Sequence, residues 1–159
     1  MTAPARRAAL QALVAIDADR ADLPAALAAS RTSLADDRDR ALTATIVTGT
    51  LRWQRTLDSL IEHFAKRSLT KIDPQVLSIL RLSLFQLLHL DRVPAAAVVD
   101  DAVSLTRAAR KSSASGFVNA VLRSMLRQRH EAFASSACHD DSQNVHHRFL
   151  LFPYQVASC

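Results

Sequence analysis

A chain of 159 residues is the size of one domain, long enough to bury a core without disulfides or metal and expected to have no room for a second, catalytic one. With 2 Gly, 5 Pro and 5% aromatic residues among abundant Ala and Leu, the composition excludes a turn-rich β fold and predicts an all-α protein. The formal charge of +5 is carried almost wholly by arginine, with lysine only at Lys66, Lys71 and Lys111; it suits a polyanionic partner, because guanidinium grips phosphate in a bidentate fork, although a genome that writes Arg for Lys leaves the same composition.

The first helix is predicted to begin near Pro4, which suits a first helical turn, and to turn Ala9, Leu10, Leu13 and Ile16 to the core with Arg6, Arg7 and Gln11 on the solvent side. Its charged start and short apolar run are followed at once by Asp17, Asp19 and Arg20, so it reads as an amphipathic helix and not as a signal peptide. No apolar run approaches the ~18 residues of a membrane span. A short helix is expected over Leu23 to Ala29, opened by "DLP", and a loop over "SRTSLADD". From Asp37 through Phe64 the pattern stays helical, with Leu42, Ile46, Gly49 and Trp53 on one stripe; one long helix or two with a kink near Arg55 both satisfy it. Gly49 costs roughly 1 kcal/mol of helix propensity against Ala, so its use is to let another helix approach closely.

In "KIDPQVLSILRLSLFQLLHLDRVP", Asp73 is placed as an N-cap and Pro74 as the first helical residue. The helix that follows is apolar on most sides, through Leu77, Leu80, Leu84, Phe85, Leu87 and Leu88, as a central helix must be. The next starts near Pro94 with Val98, Val99, Ala102, Leu105 and Thr106 inward, Asp100, Asp101 and Arg107 outward, and stops near Arg110 to Ser113. In "SGFVNAVLRSMLRQR" the last helix is two-faced: Val118, Val121, Leu122 and Met125 form its apolar side, while Asn119, Arg123 and Arg127 recur at i, i+4 and i+8.

Beyond about Arg129 the periodicity ends. The organisation expected is a helical body over 1–129 and an irregular tail over 130–159. The tail holds one of the 20 basic and three of the 15 acidic residues, so the body carries 19 against 12, a formal +7, and the basic character belongs to the body. Both cysteines, Cys138 and Cys159, lie in the tail and cannot staple the body, which fits a reducing cytoplasm. With His139, His146 and His147 they are metal-capable, but they lack the paired CxxC or HxxxH spacing of a zinc site, and no metal is assigned. Asp36, Asp37 and Asp39, and the pair Asp100 and Asp101, are ordinary helix-start or surface acids with no catalytic role assigned.

Taken in order, "DRALTATIVTGTLRW", "LDSLIEHFAKRSLTKIDPQVLSILRLSLFQLLHLDRVPAAAVVDDAV" and "SGFVNAVLR" resemble the NusB-like N-terminal domain of the RsmB (Sun/Fmu) ribosomal RNA cytosine-C5 methyltransferases, over roughly residues 5 to 129. Within the superfamily, "GTLRW", "LRLSLFQLLHLDRVP" and "VNAVLR" are more similar to the methyltransferase branch than to free-standing NusB. The resemblance implies an all-α NusB-like bundle of about six to seven helices and a role in binding RNA. A full-length methyltransferase of this kind continues into a Rossmann-like domain for S-adenosylmethionine with a Pro-Cys nucleophile. This chain has no Gly-rich turn of that class, and Cys138 and Cys159 follow Ala137 and Ser158, so neither catalysis nor a cofactor is carried over.

Arg6 and Arg7 match the arginine-rich RNA-contacting region at the start of the first helix that the resemblance implies. With Arg52, Arg55, Arg123 and Arg127 they are the candidate phosphate contacts, against the alternative of a solvated face. Trp53 is placed in the core by its stripe, with base stacking as the alternative. Asn119 is given the structural role of capping or tying neighbouring backbone. The expectation is a non-catalytic cytoplasmic domain that binds RNA, ribosomal in kind, beside a methyltransferase domain. The alternatives are an antitermination factor working with RNA and a small-subunit ribosomal protein, and a helical protein-interaction domain whose charge is incidental.

Overall fold

The computed structural model describes residues 3–136, and regular structure among them consists of helices alone. In chain order they are α1 (Pro4–Asp17), α2 (Leu23–Ser33), α3 (Asp37–Arg52), α4 (Gln54–Ala65), α5 (Pro74–His89), α6 (Ala95–Ala108) and α7 (Ser115–Ser136), with 3-10 turns at Leu69–Lys71 and Ser112–Ala114. Aspartates open three of them. Asp22 accepts from the Ala25 N–H at 2.8 Å, Asp36 from Arg38 at 2.9 Å and Asp73 from Gln75 at 3.0 Å, each satisfying a donor that the first turn leaves without an intrahelical partner. Lys66 and Arg110, at φ 52° and 59°, supply the left-handed residues that close α4 and α6, a role usually filled by glycine in chains with more than two of them.

Two boundaries differ from the sequence expectation. The helix α2 continues through Ser33 into the stretch expected as a loop, because the hydroxyls of Ser30, Thr32 and Ser33 donate to the carbonyls of Leu27, Ala29 and Ser30 at 2.8 Å and ride on the helix without competing with it. The stretch from Asp37 is two helices, the second of the two expected forms, with the break at Trp53, two residues from Arg55. Finally, α7 runs seven residues past Arg129, to Ser136. Cys138, Cys159 and the histidines 139, 146 and 147 lie outside the described residues.

The helix α5 is the hub, as its all-round apolar pattern predicts: eleven of its sixteen residues are buried, and α1, α3, α4, α6 and α7 all pack on it. Ile79, Leu80 and Leu84 are wholly inaccessible, and burial of each contributes about 1.5–3 kcal/mol. Gly49 permits the α3–α5 approach, since a Cβ there would fall 2.0–2.7 Å from three atoms of the Phe85 ring. Long-range contacts fix the directions of the other helices. The residues Arg6 and Asp17 of α1 reach Gln86 and Ser78, so α1 runs antiparallel to α5, and Trp53 and Asp58 at His89 and Arg81 orient α4 the same way. The guanidinium of Arg81 binds the Asp58 carboxylate in a bidentate fork at 2.7 and 2.9 Å with Asp17 3.6 Å away, tying α1, α4 and α5 together. At the other end Arg129 of α7 donates to the Leu87 carbonyl.

Candidate nucleic-acid interface

The six candidate arginines part company in the structure. Arg6 is not on the solvent side: it is 8% exposed, its Nε donates to Gln86 Oε1 at 2.6 Å, and its Nη1 pairs with Asp101 Oδ2. Asp101, expected outside with Asp100, is drawn inward by the same pair, at 14% side-chain exposure. A guanidinium so committed is a structural strut between α1, α5 and α6. Arg7, Arg52, Arg55, Arg123 and Arg127 are exposed, and among the described residues none of the five pairs with a carboxylate. Arg123 donates from Nε to Asn119 Oδ1 at 2.9 Å, so Asn119 steadies an arginine on its own helix where a backbone tie was expected.

The directions of the helices bring four of the five to one end of the bundle. Arg6 beside Gln86 places the start of α1, with Arg7, at the end of α5; Trp53 beside His89 places the α3–α4 junction there, with Arg52 and Arg55; Arg129 on the Leu87 carbonyl places the far part of α7 there, with Arg127. Arg123 sits one helical turn back from Arg127. Three helices, α1, α4 and α6, also start at this end. None has a side-chain cap or an acid in its first turn, whereas α2, α3 and α5 are capped by aspartates. Their positive dipole ends add to the arginine charge. The C-termini of α3 and α5 lie at the same end and oppose this, and Arg129 offsets part of it by donating to one of the last carbonyls of α5. The turn from α5 to α6 contributes exposed Asp91 and Arg92, one charge of each sign.

Trp53 is half-buried and packed against the core, with its indole stacked on the His89 imidazole at 5.0 Å and 23°. His89 and Arg129 were not expected from sequence. The signal for His89 was its spacing, four residues after Phe85 and hence on the same side of α5; Arg129 gave none, because its acceptor is a backbone carbonyl. Among the described residues no three His, Cys, Asp or Glu side chains gather as a metal site needs, and no helix is long and apolar enough to cross a membrane.

The comparisons with known proteins extend over this same body. Ribosomal RNA small subunit methyltransferase B of Pseudomonas putida is 34% identical over 145 residues, covering 91% of this chain and 33% of that protein. The probable enzyme of the same name from Bacillus subtilis is 32% identical over 77% of this chain and 28% of its own length. The transcription antitermination protein NusB of Coxiella burnetii is 35% identical over 86 residues, 54% of this chain and 62% of that protein. Among solved structures, a chain in a crystal structure described as a plectonemic RNA supercoil matches with a TM-score of 0.72 over 79% of this chain and 93% of that one, at 22% identity, a likeness of fold. The chain spans about a third of the length of the methyltransferases it matches, and the region concerned is their non-catalytic, NusB-like one. The NusB family model itself matches residues 3–127, from the cap of α1 to the exposed arginines of α7, and the chain belongs to the NusB family.

Proposed function

We propose that this chain is a non-catalytic RNA-binding domain whose RNA is ribosomal, and that it serves a methyltransferase domain by holding RNA near it in the cytoplasm. The observation that carries the reading is the set of exposed arginines without carboxylate partners among the described residues, four of them at the end of α5 where three helices direct uncapped N-termini. Arg7, Arg52, Arg55, Arg123 and Arg127 are the phosphate contacts; Arg6 positions α1 and is not itself a contact. Phosphate contacts place the RNA without reading its sequence, and they ask for no cofactor or metal. The similarity to methyltransferases over 91% of the chain in one case supports the ribosomal assignment.

The test is a binding titration of labelled single-stranded RNA at several salt concentrations. Removing one phosphate contact flattens the slope of log affinity against log salt by roughly 0.7, so Arg52→Gln with Arg55→Gln should flatten it by roughly 1.4. No binding at low salt, or a slope near zero in the wild type, would sink the reading. A second reading, a free-standing antitermination factor acting with a small-subunit ribosomal protein, is favoured by the similarity to the Coxiella protein. Genomic sequence beyond Cys159 separates the two, since an open frame for a cofactor-binding domain belongs to the first alone.

A further inference from the structure

Trp53 is the chain's one tryptophan, and its surroundings do more than fill a core. Three rings are arranged in series. Phe85, 5% exposed, lies over Gly49; its ring centroid is 5.1 Å from that of His89, tilted by 30°, and His89 stacks in turn on Trp53. The first ring is buried and the other two are half-buried, so the series runs from the core toward the surface and ends on an indole. Packing alone accounts for an indole on the Leu42–Ile46 stripe. It does not account for what flanks the ring: Arg52 before it and Arg55 two residues after, both exposed and without a carboxylate partner among the described residues. The helix also breaks at Trp53 itself, which is at once the last cap of α3 and the first of α4, so the indole and its flanking cations sit at a corner of the chain and not along a helix face.

Resting on the RNA-binding reading above, we infer that Trp53 is a base-stacking platform: an unpaired base of single-stranded RNA continues the Phe85–His89–Trp53 series as a fourth ring, and Arg52 and Arg55 hold the phosphates on either side of it. Every base has a π-face, so the platform is tolerant of sequence and selects instead for an unstacked base over a duplex. This is the part of the interface that distinguishes a single-stranded nucleic acid from a polyanion without bases, which the arginines alone do not.

Because Trp53 is the only tryptophan, its emission reports this site without labelling. The full chain is titrated with a short end-labelled single-stranded RNA while label anisotropy and tryptophan emission are read together. Emission is expected to fall along the same isotherm as anisotropy rises, while inorganic polyphosphate, or a duplex of the same sequence, binds without quenching. Trp53→Leu is expected to weaken single-stranded RNA binding by about 5- to 150-fold, the cost of removing one stack, with the salt slope retained, and Trp53→Phe to keep most of the affinity. RNA that binds with unchanged emission, or that binds folded Trp53→Leu as tightly as wild type, overturns the platform and leaves the arginine-led reading standing. Absence of RNA binding by anisotropy overturns both. Should Trp53→Leu fail to fold, the emission of the wild type decides alone.

Discussion

The first and last helices each carry two candidate arginines, and they dispose of them in opposite ways. In α1 the pair is consecutive, Arg6 and Arg7; in α7 it is spaced by four, Arg123 and Arg127. Consecutive helical positions project about 100° apart, whereas i and i+4 share a face. With Ala5, Ala8 and Ala9 buried around it, α1 cannot present both arginines to solvent, and Arg6 goes inward to Gln86 and Asp101. The other helix lays both of its arginines opposite buried Val118, Val121, Leu122 and Met125. A run of adjacent basic residues therefore overstates the charge that a helix offers to a phosphate backbone, and helical spacing is the better guide.

The largest effect expected from this contrast is on stability, at Arg6. Truncation to Ala leaves Asp101 at 14% exposure and the fully buried Gln86 amide without their partner, and should cost about 3 kcal/mol in urea unfolding. Arg7→Ala, one residue on, should change stability by no more than about 0.5 kcal/mol. The double variant Arg6→Met with Asp101→Leu should recover the part of the loss that comes from the bare Asp101 charge, while Gln86 Oε1 stays without its donor. Equal stabilities for the two single variants would break the contrast at its root.

A smaller effect is expected where an ion pair is only half-buried. Asp73 caps α5 and takes a hydrogen bond from Lys111 Nζ at 2.5 Å. That bond holds its carboxyl below the ordinary 3.8, with burial opposing and the N–H groups of Val76 and Gln75 assisting. A carboxylate depressed in the folded state adds stability that is present above its ordinary value and is lost as pH falls through the lowered one. Side-chain exposures of 40% for Lys111 and 35% for Asp73 mean that water screens much of this. Asp73→Asn keeps the cap and removes the charge, so it should cost less than about 1 kcal/mol at pH 7. Stability measured against pH should show the gap between wild type and variant closing below about pH 4. A gap that persists in acid would mean that the charge of Asp73 is not its source, and no gap at pH 7 would mean that Asp73 acts through the cap alone.

The fold was legible because its signals are local. Asp73 and Pro74 announce the start of α5, and Val98, Val99, Ala102, Leu105 and Thr106 define the inner face of α6 within a few turns of chain. Arg6 was half legible. Arg6, Leu10 and Leu13 fall at i, i+4 and i+7 on the buried stripe of α1, and Val98, Asp101 and Leu105 fall at i, i+3 and i+7 on that of α6. The spacing placed both charges inside, and the residue types argued them out. What decides is that two opposite charges 95 residues apart meet each other, which no window of sequence contains. Trp53 shows the converse: its stripe was plain, but its stack on His89 depends on how α4 lies along α5.

The sharpest test of the contrast, with little change in stability expected, belongs to α7. Arg123→Gln with Arg127→Gln removes two exposed charges and leaves the buried face untouched, so stability should shift by less than about 1 kcal/mol. Inside the protein the change breaks the hydrogen bond from Arg123 to the Asn119 amide, which water can replace at an exposed site. RNA affinity should nevertheless fall, and the salt slope should flatten by roughly 1.4, as for two phosphates released from single-stranded RNA. Measured beside Arg7→Gln, which should flatten it by roughly 0.7, the pair gives a ratio that does not depend on the RNA chosen. If Arg7→Gln lowers affinity while the α7 pair leaves both affinity and slope unchanged, spacing alone does not make an RNA-facing edge, and α7 serves the core only.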